Sequence, residues 1–393
     1  MWSDRRVIDV LQIEHPIVLS PMAGFGTVDL AAGVSAAGGL GSIGCAAMEP
    51  ELAAKTIRAL RGLTDKPINV NFFCHVQAKT ATDREEAWRD RLLPYYRELG
   101  IDPEIPVPQV NIPSFDDVRC RIVEATKPEV VSFHFGLPDS TLLARVKAVG
   151  CRIMASATTV AEAVWLEERG VDIVIAQGYE AGGHRGTFLA QSLNSASFSQ
   201  PGTLALVPQV VDAVKVPVIA AGGIADGRGI AAAFALGAAG TQLGTAYLLC
   251  PEAATSELHR EALRHAYSDA TFVTNVFTGR PARAISNRLA LEIGPILDAL
   301  PDFPLPIGAL APLRAKAEQQ GSSDFTPFWS GQASPLGREM PAMELTLKLV
   351  QEAVDRLRHL GLGLDAAFRP DVPVAQARRL RMGEVSEIVD AIL

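Results

Sequence analysis

The densest set of residues able to do chemistry is the segment AQGYEAGGHRG at 176–186, in which four glycines surround a single histidine, His184. Glycines let a loop lay its backbone against a flat ligand. An imidazole, with an ordinary pKa of about 6.5, suits proton transfer at neutral pH. The segment directly follows an apolar run, so His184 is read as a proton-transfer residue on a loop at a strand end rather than as a surface histidine. Arg185 beside it is read as a source of positive potential, or by default as half of an exposed salt bridge.

Two more glycine-bearing turns have the composition of an anion site: Ala221-Gly222-Gly223-Ile224-Ala225-Asp226 and Gln242-Leu243-Gly244-Thr245. There, backbone N–H groups can approach phosphate oxygens, the N-terminus of the next helix adds its dipole, and Thr245 can donate a hydroxyl. Tight turns without a ligand are the alternative. Further candidates stand at the ends of other apolar runs: Met22, Asn71, His134, Ser156 and Thr158. A buried Asn71 needs hydrogen-bond partners, which either a ring with carbonyl and N–H edges or a structural neighbour would supply. His134 is read either as a substrate-orienting residue or as a partner of a backbone carbonyl. The cysteines, Cys45, Cys74, Cys120, Cys151 and Cys250, are widely spaced and include no C-x-x-C pair. They are expected to be free buried thiols, and no metal site is expected.

Chain-distant loops of this kind need a scaffold that gathers them. Eight short runs, at 17–20, 40–43, 68–72, 130–133, 152–155, 172–176, 218–221 and 241–243, are apolar nearly throughout, as strands covered on both faces should be. Helical patterns at 50–60, 116–125, 139–149, 159–169, 202–214, 226–236 and 252–265 alternate with them. That alternation predicts an α/β fold, a (β/α)₈ TIM barrel with an added lid or small domain after strand eight. In such a barrel the loops after the strands carry function, and phosphate sits after strands seven and eight. A doubly wound sheet is disfavoured because Ser20-Pro21-Met22-Ala23-Gly24 stands where a G-x-G-x-x-G turn would be needed. The expected organisation is a barrel over 1–265 with a helical insertion near 74–114, a Pro-rich lid or small substrate-side domain over 266–332, and a C-terminal helix and tail over 333–393.

Charge and composition narrow the function classes. Against 36 Lys and Arg stand 44 Asp and Glu, a formal charge of −8, and no basic run is denser than Arg378-Arg379-Leu380-Arg381. Affinity for nucleic acid or anionic lipid is therefore not expected. The uncharged stretches at 30–48 and 230–251 are too rich in small residues, or too broken by glycine, for membrane spans, and each reads as a helix followed by a strand. The N-terminus lacks the apolar core of a secretory signal, which predicts a cytoplasmic protein.

Several segments together resemble the nitronate monooxygenase family, formerly 2-nitropropane dioxygenases. They are PIVLSPMAGFG (16–26), INVNFF (68–73), SFHFGLP (132–138), AQGYEAGGHRG (176–186), VPVIAAGGIADGRG (216–229) and GTQLGTAYLLCPEA (240–253), with TGRPAR (278–283) and FWSGQ (328–332) beyond them. AQGYEAGGHRG is the most specific; the glycine segments also occur in other FMN barrels. The resemblance implies an FMN enzyme that oxidises alkyl nitronates with O₂ to a carbonyl compound and nitrite, without nicotinamide. It implies His184 as catalytic base. It also implies FMN contacts at Met22, Ala23, Asn71, Gln177, Gly182, Gly222, Gly223, Gln242, Gly244 and Thr245, with Gly331 and Gln332 closing the site. The partners it implies are a small-molecule substrate and O₂. The competing readings are an FMN reductase of the enoyl-thioester or NAD(P)H:quinone type on the same barrel, a non-catalytic metabolite-binding barrel, and a component of a larger complex.

Overall fold

A computed structural model describes residues 2, 4–78, 81–190, 192, 199–267 and 269–361 of the chain. The sequence tail expected beyond 361 lies outside them. Eight parallel strands, β1 (Ile17–Leu19), β2 (Gly41–Gly44), β3 (Ile68–Phe73), β4 (Val130–His134), β5 (Arg152–Ala157), β6 (Ile173–Gln177), β8 (Val218–Ala221) and β9 (Gly240–Leu243), run in the order β1-β9-β8-β6-β5-β4-β3-β2. A parallel bridge between Val18 and Leu40 joins the two edge strands and closes the sheet into a barrel. Alternate residues face opposite ways along a strand. Ile17, Leu19, Val174 and Ala176 accordingly join the cluster under the surrounding helices. Val18, Ile173, Ile175 and Ile219 instead join Val7 and Leu11 of helix α1 (Arg6–Leu11) in a separate cluster. The chain's first helix thus packs against the strand residues of that second cluster.

The outer helices start where the sequence supplies a cap. Thr27 opens α2 (Val28–Ala36), Asp116 opens α5 (Asp117–Thr126), Asp139 opens α6 (Ser140–Ala148) and Thr159 opens α7 (Val160–Glu168), each accepting a hydrogen bond from a first-turn N–H. Helices α3 (Pro50–Leu63), α8 (Thr203–Ala213), α9 (Gly227–Ala235) and α10 (Glu257–His265) complete the ring.

Three additions surround the barrel mouth. The two-residue strand β7 (Gly183–His184) pairs with β11 (Ala282–Ile285), which pairs with β10 (Thr271–Thr274). The segment expected as a Pro-rich lid therefore carries regular structure, including α11 (Arg288–Ile293) and α12 (Pro306–Gln319). Helix α4 (Thr82–Glu98), from the insertion after β3, shares one core with that segment: Trp88, Leu92 and Tyr96 pack with Leu310, Leu313 and Phe325. The indole N–H of Trp88 donates to Pro306 O at 3.2 Å, and the Tyr96 hydroxyl to Ala309 O at 2.6 Å. Helix α13 (Ala342–His359) returns to the barrel and buries Ala342, Leu345, Leu349 and Ala353 in the main core.

No described helix is long and apolar enough to cross a membrane. The five cysteines are unpaired, four buried and Cys74 partly so. Among the described residues no cluster of His, Cys, Asp and Glu could hold a metal ion.

Candidate active site

The C-terminal ends of the barrel strands open into a cavity of about 550 Å³, a size suited to a cofactor or small ligand. Met22, Ala23, Asn71, His134, Gln177, Gly182, His184, Gly222, Gly223, Gln242, Gly244 and Thr245 all line it. The barrel thus gathers the residues singled out in sequence from six different strand ends.

His184 ends β7, and its backbone is held from two sides. Its carbonyl accepts from His134 Nε2 at 3.1 Å and from Gln177 Nε2 at 3.0 Å. A carbonyl only accepts, so His134 carries its hydrogen on Nε2 and takes the Ser156 hydroxyl hydrogen on Nδ1, at 3.0 Å. Both His134 nitrogens are thereby engaged. Gln177 completes the clamp, its Oε1 accepting from Gly186 N at 2.8 Å.

The imidazole of His184 is walled by Trp329, Phe303, Phe135 and Phe73, with ring centroids 5.3, 5.4, 6.0 and 6.4 Å away. Its Nε2 lies 2.9 Å from Thr278 Oγ1. Burial, followed by the influence of His134, Arg280 and His75, pushes its pKa down to about 3. His134 is lowered to about 3 as well, chiefly by burial. Both rings are neutral at pH 7. Thr278 was quoted in TGRPAR without a role; the structure gives it contact with the histidine, and only the motif itself could have drawn attention to it.

Arg185 departs from the sequence reading. It is 2 % exposed and forms no salt bridge among the described residues. Its guanidinium donates to the carbonyls of Gly178 and Gln177 and to Gln200 Oε1, tying the loop onto the end of β6. The charge sequence reasoning gave to the ligand goes instead to main-chain carbonyls at the end of β6, a demand visible only in three dimensions.

The glycine turns have the expected place but a different helix geometry. Gly222 and Gly223 adopt φ of +111° and +72°, conformations that L side chains rarely adopt. A Cβ on Gly222 would lie 2.9 Å from Ala181 N. The N-terminus of α9 was expected to lend its dipole, but Asp226 accepts from Arg228 N and Gly229 N, and Glu352 from Gly227 N. Two carboxylates already occupy that terminus. After β9 a single 3₁₀ turn, Thr245–Tyr247, starts at the cavity wall.

Two side-chain amides face the cavity with unused capacity. Asn71 donates to Ser132 O and Oγ, both at 3.1 Å, and no described residue donates to its Oδ1. Gln242 Oε1 is buried and unpartnered. A ligand with N–H groups at its edge would satisfy them. Gly182 allows the segment at 328–332 to approach: a Cβ there would stand 2.5 Å from Gly331 N and 2.7 Å from Ser330 C. Gly331 lines the cavity and donates to Thr245 Oγ1 at 2.9 Å. Gln332 is exposed, outside the cavity lining, and donates through its backbone to Glu180 O at 3.0 Å.

A sequence model described as nitronate monooxygenase matches residues 4–352. The chain is 42 % identical over 349 residues to a nitronate monooxygenase of Pseudomonas aeruginosa, covering 88 % of this chain and 98 % of that one. Among solved structures, nitroalkane oxidase from Streptomyces ansochromogenes superposes with a TM-score of 0.82 at 36 % identity, over 90 % of this chain and 99 % of that one. FabK from Thermotoga maritima gives a TM-score of 0.68 at 31 % identity, over 91 % and 98 % respectively.

Proposed function

The chain belongs to the nitronate monooxygenase family, and on that premise we propose that it oxidises alkyl nitronates with O₂ to a carbonyl compound and nitrite, using FMN and with His184 as base. The chain is an oxidoreductase acting on a small molecule. The observation that carries the finer reading is a neutral histidine, fixed through its own carbonyl, in one cavity with the unpartnered amide oxygen of Gln242 and two glycine turns.

The residues present fit FMN. Gln242 and Asn71 would meet the ring edge, beside Met22, Ala23, Gln177 and Gly182. Gly222, Gly223, Gly244 and Thr245 would surround the ribityl phosphate with backbone N–H groups and a hydroxyl. When bound, the flavin supplies an electron acceptor for the substrate carbanion and a route to O₂. The barrel of residues 1–265 would hold it, and residues 266–332 would cover the substrate side.

The chain's own residues handle the proton. The Thr278 hydroxyl lies 3.3 Å from Arg280 O and 2.9 Å from His184 Nε2. With its single hydrogen on that carbonyl, it accepts from Nε2–H and leaves the lone pair on Nδ1 to take the α-proton of a neutral nitroalkane. A nitronate has already lost that proton and needs only positioning. The aromatic wall excludes water from the imidazole and keeps it uncharged.

Purified protein is expected to be yellow and, without O₂, to bleach on adding ethyl nitronate while ignoring NADH and NADPH. Bleaching by a pyridine nucleotide would favour the reductase reading. A preparation that can be neither isolated with FMN nor reconstituted with it would overturn the proposal.

A further inference from the structure

Phe135 follows β4 with a φ of +70°, a conformation uncommon for any residue but glycine and an outlier for a bulky one. In a continued strand its side chain would point away from that of His134. The left-handed turn instead sets the two rings 4.5 Å apart. The Phe135 ring also lies 4.9 Å from Phe73, 5.8 Å from Phe303 and 6.0 Å from His184. The strained residue is therefore in ring contact with both histidines of the site. Such strain persists only where the surroundings hold it.

Arg280 supplies the hold. Its guanidinium carbon lies 3.9 Å from the centroid of the Phe135 ring, within cation–π range. The side chain is buried, donates through Nη2 to Thr187 O at 2.6 Å, leaves Nε without a partner and forms no salt bridge among the described residues. Burial lowers its pKa to about 10, so it keeps its charge at pH 7. A buried cation so sparsely compensated is costly to retain for packing alone. Its main chain reaches the same site: Arg280 N donates to Thr278 Oγ1 at 3.4 Å, the hydroxyl that meets His184 Nε2. We propose that Arg280 is a positioning residue of the reaction: stacked on Phe135, it holds that strained ring against His134 and His184 and so fixes the His184 imidazole for proton transfer. The inference rests on the base reading of His184 above and adds the group that steadies the base.

The test compares Arg280→Met, Arg280→Lys, Phe135→Leu and the Arg280→Met/Phe135→Leu double variant, all loaded with FMN. Arg280→Met should lower kcat on neutral nitroethane by about 10- to 100-fold, with KM little changed and oxidation of ethyl nitronate lowered far less. Arg280→Lys keeps a cation over the ring and should restore most of the rate. Phe135→Leu should lose about as much as Arg280→Met, and the double variant no more than the worse single one, because the arginine acts through the ring. Equal losses on nitroethane and ethyl nitronate, a lysine variant no better than the methionine one, or additive losses in the double variant overturn the proposal. Should Phe135→Leu fail to fold, the methionine and lysine variants decide. A second readout needs no turnover: the downfield proton resonance of His184 Nε2–H, identified by its loss in His184→Asn, should be present in the wild type and Arg280→Lys and lost in Arg280→Met. If neither nitroethane nor ethyl nitronate is oxidised, the nitronate reading fails, and this resonance still decides: the expected pattern sustains the positioning role, whereas a signal absent from the wild type or unchanged in Arg280→Met overturns it.

Discussion

His134 Nε2 lies 3.1 Å from the main-chain carbonyl of His184, so one histidine fixes the backbone from which the other projects. The pair divides the work. His134 spends both nitrogens on protein partners, whereas His184, at the cavity wall, spends only Nε2, on Thr278.

His134 is on this geometry a positioning residue. In His134→Phe the carbonyl of His184 keeps only Gln177, and the imidazole is free to drift. A displacement of about 1 Å can cost up to about 100-fold in rate, so kcat on a neutral nitroalkane should fall by about 10- to 100-fold while flavin content and KM stay near wild type. The pH profile should keep its shape. Loss of its acidic limb would instead make His134 the base.

His184→Asn should retain FMN yet lose oxidation of neutral nitroalkanes far more than oxidation of pre-formed nitronates, because only the former needs a base. With the His184 pKa pushed down to about 3, the wild-type rate constant for a neutral nitroalkane should stay level from pH 8 to about pH 5. Thr278→Val should lower that rate by about tenfold, and Thr278→Ser should restore most of it. Equal losses on nitroalkane and nitronate in His184→Asn would remove the base assignment.

Gly182→Ala would place a methyl 2.5 Å from Gly331 N and 2.7 Å from Ser330 C, both backbone atoms. The segment at 328–332 must then move and release the bond from Gly331 N to Thr245 Oγ1. We expect a stability loss of about 1–3 kcal/mol, read by urea unfolding, and faster loss of FMN on dialysis. Unchanged flavin retention would separate this contact from the cofactor site.

Acid should unfold the protein through its histidines. Burial lowers His75 and His259 to about 4, and His134 and His184 to about 3. The unfolded chain binds protons at these sites below about pH 6.5, and the folded chain does not. Stability from this source is complete above pH 6.5 and falls as the pH drops toward 4 and 3, by up to about 1.4 kcal/mol per pH unit for each histidine. Urea midpoints at pH 7, 6 and 5 measure it, and His134→Phe should flatten the slope by about one proton. A midpoint that does not change over that range would mean that these rings titrate normally.

The barrel was legible because its strands are buried on both faces and announce themselves locally. All eight expected runs fall on observed strands, and capping residues mark most helix starts. The cap was not legible for a physical reason. Pro306 sits in the first turn of α12, where its missing N–H costs nothing, and Pro312 lies inside the helix. A proline count reads both as breaks. Strands β7, β10 and β11 are short, and the two-residue β7 exists by pairing with the distant β11. Arg185 and Thr278 have partners that are remote in sequence or supplied by the folded loop, so their residue types alone pointed elsewhere or nowhere.

The shared core of α4 and α12 also sets an order of assembly. Trp88 and the Pro306 carbonyl it bonds are 218 residues apart, so the ribosome makes the last five barrel strands, β4, β5, β6, β8 and β9, after α4 and before its partner. During synthesis α4 must wait with Trp88, Leu92 and Tyr96 unpacked, or be shielded. The mouth of the barrel is roofed only after all eight barrel strands have been made, which leaves an interval in which a large planar ligand can enter from above. Loading before closure would make the finished protein slow to exchange that ligand, a property of its birth order rather than of its equilibrium affinity.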